Sequence, residues 1–151
     1  MKRRDALKNS AAVLGMLLAG GLLPQAAYAG YNKAAFDAKT VAEVLKALGA
    51  AAPAESKEVT LTAPDIAENG AVVPLGAATS LPNVKQVLVL VEKNPNTLVA
   101  SFAVSDAVEA NFLTRAKLGQ SSDVYAVAIT ADGKAFYAKK EVKVTLGGCG
   151  G

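Results

Sequence analysis

The sequence predicts an all-β protein, an immunoglobulin-like antiparallel β-sandwich of about seven strands with a short N-terminal helix. Three observations favour this fold class. After Ser56 the chain consists of short β-rich runs, turn-forming residues separate these runs, and no long helix lies between any two of them. Alternating strands and helices would instead indicate a parallel sheet. We therefore predict a single β-sandwich domain over residues 56–146.

Residues 1–29 have the composition of an export signal. A charged segment ends at Lys8, an apolar stretch of 13 residues runs from Ala11 to Leu23, and Ala27-Tyr28-Ala29 offers small residues around a cleavage site. As a helix this stretch would span roughly 20 Å, which is short of the ~30 Å hydrocarbon core of a membrane. We therefore expect a cleaved signal peptide and no membrane anchor.

Two adjacent arginines identify the kind of signal. Arg3 and Arg4 are followed by Leu7 and Lys8, as in the twin-arginine export signal, although Ala6 stands where that signal commonly has Phe. The sequence thus predicts export by the twin-arginine route and a periplasmic mature protein, Gly30–Gly151.

Residues 30–55 are predicted to form a short helix and a linker. Val41, Val44, Leu45 and Leu48 follow the spacing of one apolar helix face. Thr40 and Glu43 have the form of a capping box, in which Thr40 accepts from the amide of Glu43 and Glu43 reaches back to the amide of Thr40. Gly49 is a plausible left-handed end of the helix, and Ala50–Glu55 is expected to be a linker.

The β-rich part contains about seven candidate strands with turn residues between them. Asp132-Gly133 is the clearest hairpin among these turns. The candidate strands are Glu58–Thr62, Ala71–Ala77, Lys85–Glu92, Val99–Ser105, Phe112–Leu118, Asp123–Thr130 and Ala135–Leu146.

Two of these runs have unusual compositions. The Val87–Val91 run is apolar on both faces, which fits either a strand in the centre of the sandwich or one that contacts a partner protein. Pro74 lies inside the second run, and because proline lacks a backbone N–H it favours an edge strand there.

Composition and charge exclude several classes of function. Histidine is absent and there is one cysteine, so a Ser-His-Asp triad, a Cys-His pair, a His-ligated metal site and an internal disulfide are all excluded. The net charge of +3 comes from the first eight residues, since from Gly30 onward there are 12 basic and 12 acidic residues. We therefore expect no nucleic-acid binding and no cofactor.

The chemistry is expected in the tail, where Cys149 lies between Gly147, Gly148 and Gly150, Gly151. Four glycines provide no side chains to pack and leave the backbone free, so we predict a flexible arm over residues 147–151. Leu146 to Cys149 is three residues, a reach of about 10 Å when extended. A lone exposed thiol would be a liability in an oxidising compartment, which argues that it is used.

This thiol is predicted to be a carrier and not a catalyst. Its nearest charged neighbour in sequence is Lys143, and no histidine is present to take its proton. The pKa of the thiol should therefore lie near the free value of about 8.5, leaving little thiolate at neutral pH. A thiol without a base and a pocket needs other enzymes to activate it, so Cys149 would hold an intermediate for them.

The tail and three other segments closely resemble the SoxY family, the sulfur-carrier subunits of bacterial thiosulfate-oxidising Sox systems. These segments are Gly147–Gly151, Lys140–Thr145, Val91–Asn96 and the twin-arginine leader. The resemblance covers essentially the whole mature chain. It implies an immunoglobulin-like sandwich paired with SoxZ, Cys149 as the site of covalent attachment, and Gly147, Gly148, Gly150 and Gly151 as a swinging arm.

The same resemblance implies three further partners. A SoxXA-like haem enzyme would attach thiosulfate oxidatively to Cys149, a SoxB-like hydrolase would release sulfate from the bound sulfonate, and a SoxCD-like sulfane dehydrogenase would oxidise the remaining sulfur. The chain itself is not expected to be an enzyme.

Three alternatives to this function remain open. The chain is an exported structural or assembly domain if Cys149 only forms cross-links, and a thiocarboxylate sulfur carrier if Gly150-Gly151 is the working end. An enzyme would require the paired carboxylates Asp65/Glu68 and Asp106/Glu109, which solvated turns explain more simply. Lys139, Lys140 and Glu141 similarly fit a solvated strand face better than a site that steers anions.

Overall fold

Two sheets and two short helices make up residues 32–145, the part of the chain that this computed structural model describes. The helices are α1 (Lys33–Asp37) and α2 (Val41–Ala47). The strands are β1 (Ala54–Glu55), β2 (Val59–Thr62), β3 (Ile66–Ala67), β4 (Val73–Thr79), β5 (Val84–Val91), β6 (Leu98–Ala103), β7 (Asn111–Ala116), β8 (Ser122–Thr130) and β9 (Ala135–Val144).

The larger sheet has the strand order β1-β9-β8-β5-β6, and β3 also pairs with β9. Its long strands are antiparallel, whereas β1 and β3 lie parallel to β9. The smaller sheet has the order β2-β4-β7 and is antiparallel throughout. The predicted all-β, immunoglobulin-like sandwich is therefore confirmed.

The seven predicted strands correspond to β2 and β4–β9, with ends that differ by one to two residues in most cases. The sequence analysis missed β1 and β3, which have two residues each. β1 lies in the predicted linker and β3 lies between the predicted strands Glu58–Thr62 and Ala71–Ala77. Both pair with β9, about 80 residues away in sequence for each. Only the fold brings such partners together.

The main core lies between the two sheets. Val87, Val89 and Val91 of β5 point into it and are at most 1% exposed. They meet buried residues of the smaller sheet, including Leu75. Phe102 and Phe112 stack with ring centroids 4.5 Å apart, and both rings pack against this core from the side of β6 and β7.

A second core lies on the other face of the larger sheet, under the helices. Leu88 and Leu90 of β5 pack there with Val44 and Leu45 of α2, and all four side chains are at most 2% exposed. The apolar run Val87–Val91 is thus buried on both faces by the chain itself. Of the two interpretations left open by the sequence, the structure supports the central strand.

Helix α2 begins and ends much as predicted. Thr40 accepts a hydrogen bond from the amide of Glu43 at 3.2 Å, and Gly49 has a left-handed φ of 69°. The reciprocal half of the capping box is wrong by one residue, because the Glu43 carboxylate accepts from the amide of Lys39 at 2.9 Å and not from that of Thr40. Helix α1 was not predicted; Asn32 caps it by accepting from the amide of Ala35.

The prediction that Pro74 marks an edge strand is wrong, since β4 is the central strand of the smaller sheet. The pairing explains why proline is tolerated. β2 pairs only with residues 76–79 of β4, so at Pro74 the strand has β7 as its one neighbour. A missing N–H on the unpaired side leaves no hydrogen bond unmade.

The predicted hairpin at Asp132-Gly133 is confirmed and joins β8 to β9. Gly133 has a φ of 83°, and Thr130 and Lys134 close the turn with a backbone hydrogen bond of 3.0 Å. Lys134 forms an ion pair of 2.8 Å with Asp132, and the Thr130 hydroxyl donates to the same carboxyl group. These contacts lower the pKa of Asp132 to about 2, with the Lys134 contact as the larger cause.

The predicted signal peptide, with Arg3 and Arg4, and the predicted arm, with Cys149, lie outside the described residues. Within residues 32–145 no helix is long and apolar enough to span a membrane.

Candidate functional site

The candidate site begins where strand β9 ends, because the predicted carrier cysteine follows this strand by five residues. β9 is paired on both sides. β8 covers one side from Ile129 opposite Ala135 to Ser122 opposite Val142, and the other side holds β1 and then β3. Strand pairing therefore fixes the position of β9 along nearly its whole length.

Backbone hydrogen bonds continue to the last described residue. Thr145 donates its amide to the carbonyl of Ala67 at 3.1 Å, and Lys143 donates to the carbonyl of Asp65 at 3.0 Å. On the opposite side the amide of Val144 donates to the hydroxyl of Ser121 at 2.9 Å. The last described residues of the chain are thus held on one side by β3 with the residue before it and on the other side by the loop between β7 and β8.

Lys140 ties β9 to the segment that precedes β3. Its ammonium donates to the carbonyl of Ala63 and forms an ion pair with Asp65, both at 2.8 Å. The hydrogen bond and charge of Lys140 lower the pKa of Asp65. Lys139 points to the other face and pairs with Asp123 at 3.4 Å, a contact that raises the pKa of Lys139. Both lysines have local carboxylate partners, which agrees with the interpretation that they belong to a solvated strand face.

The carboxylates considered for an enzyme do not form a group. Asp65 is paired with Lys140, while Asp106 and Glu109 lie in the exposed turn between β6 and β7. Among residues 32–145 no cluster of three or more metal-binding side chains is present.

Sequence reasoning did not identify Ser121 and Ala67 as residues that hold the end of β9. Ser121 lies 23 positions before Val144, and Ala67 is paired with β9 through a two-residue strand. The polar character of Ser121 before a strand was visible, but a serine in a loop carries no sign of its distant partner.

A shallow apolar cleft of about 750 Å³ lies on the outer face of the smaller sheet. We call it the outer cleft; its lining includes Pro64, Pro74, Gly76, Leu113 and Arg115. Gly76 lies opposite Leu113, and a Cβ at this glycine would come within 2.9 Å of the Leu113 side chain. The lack of a side chain at Gly76 thus leaves room for the Leu113 side chain to lie against β4.

Leu113 is the most exposed large apolar residue in the described part of the chain, with 80% of its surface accessible. Arg115 is the one charged residue of the cleft lining. A sheet face that is apolar and almost without charge is typical of a surface that another protein covers.

Comparison with known proteins decides the family. A model of the family described as "Sulfur oxidation protein SoxY" matches residues 44–149. The chain belongs to the SoxY family. The resemblance to this family is thereby confirmed, and the match includes residue 149, the predicted carrier cysteine. SoxY-family membership supports a sulfur carrier of thiosulfate oxidation and implies Sox-system partners such as SoxZ.

Solved structures agree with the assignment to the SoxY family. The sulfur carrier protein SoxY from Chlorobium limicola f thiosulfatophilum is 31% identical, with a TM-score of 0.63, over 71% of this chain and 97% of that one. A superoxide reductase (neelaredoxin) from Ignicoccus hospitalis is 18% identical, with a TM-score of 0.51, over 58% of this chain and 80% of that one. The second likeness shows the fold alone. A search of curated protein sequences finds no match.

Proposed function

We propose that this chain is a periplasmic carrier that holds the sulfur intermediates of thiosulfate oxidation covalently on Cys149. The observation that carries the proposal is the extent of the SoxY-family match, which continues past the last strand to residue 149. The described geometry supports it, since β9 is fixed up to Thr145 and gives the arm a firm base.

Loading of the thiol requires an oxidant. Cys149-SH and thiosulfate form a new sulfur–sulfur bond, giving Cys149-S-S-SO₃⁻, and release one proton and two electrons. A SoxXA-like haem enzyme would accept the electrons. The sequence contains no histidine to deprotonate the thiol, so the partner must supply the activation as well.

Unloading would proceed in three steps. A SoxB-like hydrolase adds water across the bond between the terminal sulfonate and the next sulfur, releasing sulfate and a proton and leaving a persulfide on Cys149. A SoxCD-like sulfane dehydrogenase would then accept six electrons from the persulfide sulfur, with three water molecules supplying its oxygens, to give Cys149-S-SO₃⁻. A second hydrolysis would release this sulfonate as sulfate and regenerate the Cys149 thiol. Cys149 stays covalently bound to the cargo until that release, and Gly147, Gly148, Gly150 and Gly151 would let it enter narrow catalytic clefts.

Intact mass spectrometry of the periplasmic protein from cells grown on thiosulfate tests the carrier role. We expect a species heavier than the mature chain by one S₂O₃ unit or by one sulfur atom. Cys149→Ser should remove both species. A mature chain found solely as free thiol and disulfide dimer would instead favour the structural alternative. Cargo that persists in Cys149→Ser would favour a thiocarboxylate at Gly151.

Export is tested separately with the leader. Replacing Arg3 and Arg4 together with lysine keeps the charge and removes the paired guanidinium groups, so we expect the protein to remain in the cytoplasm with Met1 or Lys2 at its N-terminus. Lys8→Arg keeps the pair and should be exported and cleaved near Ala29. Efficient export of the double variant would contradict the twin-arginine route.

The outer cleft is our proposed contact with a SoxZ-like subunit. It combines the most exposed apolar side chain of the described residues, Leu113, with a single cation, Arg115, so the matching surface should be apolar with one carboxylate. Replacement Leu113→Lys places a charge at the centre of this face. We expect it to weaken co-purification of the SoxZ-like subunit at least tenfold.

Val108→Lys is the matched control for this interface, because Val108 is also an exposed apolar residue, at 47%, but lies in the turn between β6 and β7 and not in the outer cleft. It should leave co-purification unchanged. Loss of the partner in the Val108 variant and not in the Leu113 variant would place the contact elsewhere.

A further inference from the structure

A pair of residues suited to covalent modification lies in the loop between β3 and β4. This loop contains Asn69-Gly70, the one Asn-Gly pair in the sequence. The backbone nitrogen of the next residue can attack an asparagine side chain, and glycine hinders that attack least because it has no side chain. The other asparagines are followed by larger residues or, at Asn94, by proline, which has no N–H. The local chemistry therefore favours reaction at Asn69.

Hydrogen bonds hold the Asn69 side chain against the backbone that would attack it. The amide of Ala71 donates to the side-chain oxygen of Asn69 at 2.9 Å, and the amide of Val72 donates to the backbone carbonyl of Asn69 at 3.4 Å. The ring closed by the first bond contains the Gly70 nitrogen, so the side-chain carbonyl carbon is kept near this nitrogen. The same bond stabilises the negative charge that develops on the side-chain oxygen when the carbon is attacked.

The reacting groups have no competing bonds within residues 32–145. Asn69 is exposed, and its side-chain nitrogen, which is the leaving group, donates no hydrogen bond to these residues. The N–H of Gly70 likewise has no acceptor among them. Water therefore reaches the Asn69 side chain, and neither nitrogen has to break a bond in this part of the fold before it reacts.

We infer that Asn69-Gly70 is a site of spontaneous modification in the folded protein. The Gly70 nitrogen forms a bond to the side-chain carbonyl carbon of Asn69, the carbon–nitrogen bond of the side-chain amide breaks, and ammonia leaves with the proton of the Gly70 amide. Water then opens the resulting five-membered imide at either carbonyl, which gives aspartate or isoaspartate at residue 69. This inference is independent of the proposed carrier function.

Isoaspartate would lengthen the backbone at a point that is held on both sides. The isoaspartyl linkage adds one carbon between Cα of Asn69 and the Gly70 nitrogen, about 1.5 Å. The carbonyl of Gly70 accepts from the amide of Leu118 at 2.7 Å, and the carbonyl of Glu68 accepts from the hydroxyl of Thr145 at 3.4 Å. A Cβ at Gly70 would lie 2.5 Å from the Leu118 carbonyl oxygen, so there is little room for movement. The added carbon should break at least one of these bonds and loosen the end of β9.

The first test follows the reaction in the complete mature protein, incubated in ¹⁸O-labelled water at mildly alkaline pH. Trypsin then releases residues 58–85 as one peptide, which contains Asn69 and, as an internal control, the exposed Asn83. We expect residue 69 to become heavier by about 3 mass units, from loss of the amide nitrogen and gain of labelled oxygen. Asn83 should stay unlabelled, because the β-branched Val84 hinders attack. A synthetic peptide of residues 65–74 gives the rate in an unfolded chain, and the folded protein should react at a comparable rate.

The second test measures the structural effect of the product. After this incubation, protein with isoaspartate at residue 69 should melt about 3–6 °C below fresh protein. The Leu118 amide should also exchange with deuterium at least about tenfold faster. Asn69→Gln is the matched control, since its longer side chain would have to close a less favoured six-membered ring, and it should be unchanged by the incubation. Fresh Asn69→Asp carries the charge without the added carbon and should melt close to fresh wild type.

Two results would overturn the inference. Reaction in the folded protein more than about tenfold slower than in the peptide would show that the fold blocks the attack and that the loop must open first. Isoaspartate at residue 69 with unchanged melting temperature and unchanged exchange at Leu118 would show that the loop accepts the longer backbone. Neither test involves thiosulfate, Cys149 or a partner protein, so both results leave the proposed carrier function standing.

Discussion

At the scale of single residues, two positions stand out in the described part of the chain. Thr97 has a buried hydroxyl without a hydrogen-bond partner, and Gly70 has no room for a side chain. Thr97, immediately before β6, is fully buried, and its backbone carbonyl accepts from the amide of Val91. Its hydroxyl has no hydrogen-bond partner among the described residues. A buried polar atom without a partner costs free energy that an apolar atom of the same size would not.

We expect Thr97→Val to raise the free energy of unfolding by about 1 kcal/mol, since it removes the unpaired hydroxyl and keeps the shape. Thr130→Val is the control. The Thr130 hydroxyl contacts Asp132 and the carbonyl of Lys134, so this change should destabilise the protein by a similar amount. Urea denaturation of both variants measures the difference, and a less stable Thr97→Val would contradict it.

Gly70 lies close to the end of β9 and has the least room for a side chain among the described glycines. A Cβ built on it would lie 2.5 Å from the carbonyl oxygen of Leu118 and 2.8 Å from a methyl group of Val144. We expect Gly70→Ala to cost about 1–3 kcal/mol, because a backbone atom must move to make room. Gly119→Ala meets no atom within 4 Å and should be close to neutral in thermal unfolding. Equal melting temperatures for Gly70→Ala and the wild-type protein would show that the backbone at Gly70 can move to accommodate a side chain without loss of stability.

At the scale of elements, the hairpin between β8 and β9 is stabilised by a charge that depends on pH. Lys134 and Thr130 lower the pKa of Asp132 to about 2 in the folded protein, below the ~3.9 of an unfolded chain. A carboxyl group whose pKa is depressed by folding stabilises the protein above its unfolded pKa, and this contribution disappears as pH falls through the folded value.

Asp132→Asn should therefore lower the melting temperature slightly at pH 7, and the difference from wild type should shrink between about pH 4 and about pH 2. Asparagine keeps the turn preference of the position, so the charge is the main change. Asp106→Asn, which removes one carboxylate that has no ion pair within residues 32–145, is the control for the loss of a negative charge. A constant difference across this range would assign the effect to the turn and not to the ion pair.

Elements with a local signal were predictable from the sequence, and elements formed by distant pairing were not. The cap at Thr40, the left-handed Gly49 and the Asp132-Gly133 hairpin each depend on neighbours within a few residues. β1 and β3 are too short to show a pattern and exist because β9 pairs with them. Helix α1 was missed for a similar reason, since five residues show little periodicity.

The residues of the candidate site were likewise predictable only in part from the sequence. Cys149 and its glycines stand out in the sequence as a composition that no packed core would need. The residues at the end of β9 do not stand out, because Ser121 and Lys117 lie in the loop between β7 and β8 and Ala67 lies in the two-residue strand β3. Their proximity follows from hydrogen bonds between residues that are far apart in sequence, such as Asn94 and Lys117.

At the scale of the whole molecule, the body and the cargo group are separable. Both hydrophobic cores consist of residues between Ala35 and Val144. The fold is also shared with a superoxide reductase of 18% identity, so the sandwich alone does not specify a function. The proposed carrier function depends on Cys149, which follows the last strand in the sequence.

Deletion of residues 147–151 should leave the thermal unfolding temperature within about 1 °C of wild type, because each core residue remains. The same deletion should abolish sulfur loading, as judged by intact mass after incubation with tetrathionate. Deletion of five residues from the other end of the body, 32–36, would remove Ala35 from the second core and should lower stability. A large loss of stability on deleting 147–151 would mean that these residues help to hold the body together.

The double-sided pairing of β9 has a mechanical consequence. A protein that pulled on the residues after β9 would exert tension along this strand, which is flanked by β8 on one side and by β1 and β3 on the other. Tension in that direction loads many hydrogen bonds at once in shear, whereas a strand at a free edge would unzip one bond at a time. We therefore expect β9 to stay in the sheet, and the domain to stay folded, under repeated tension applied at its C-terminal end.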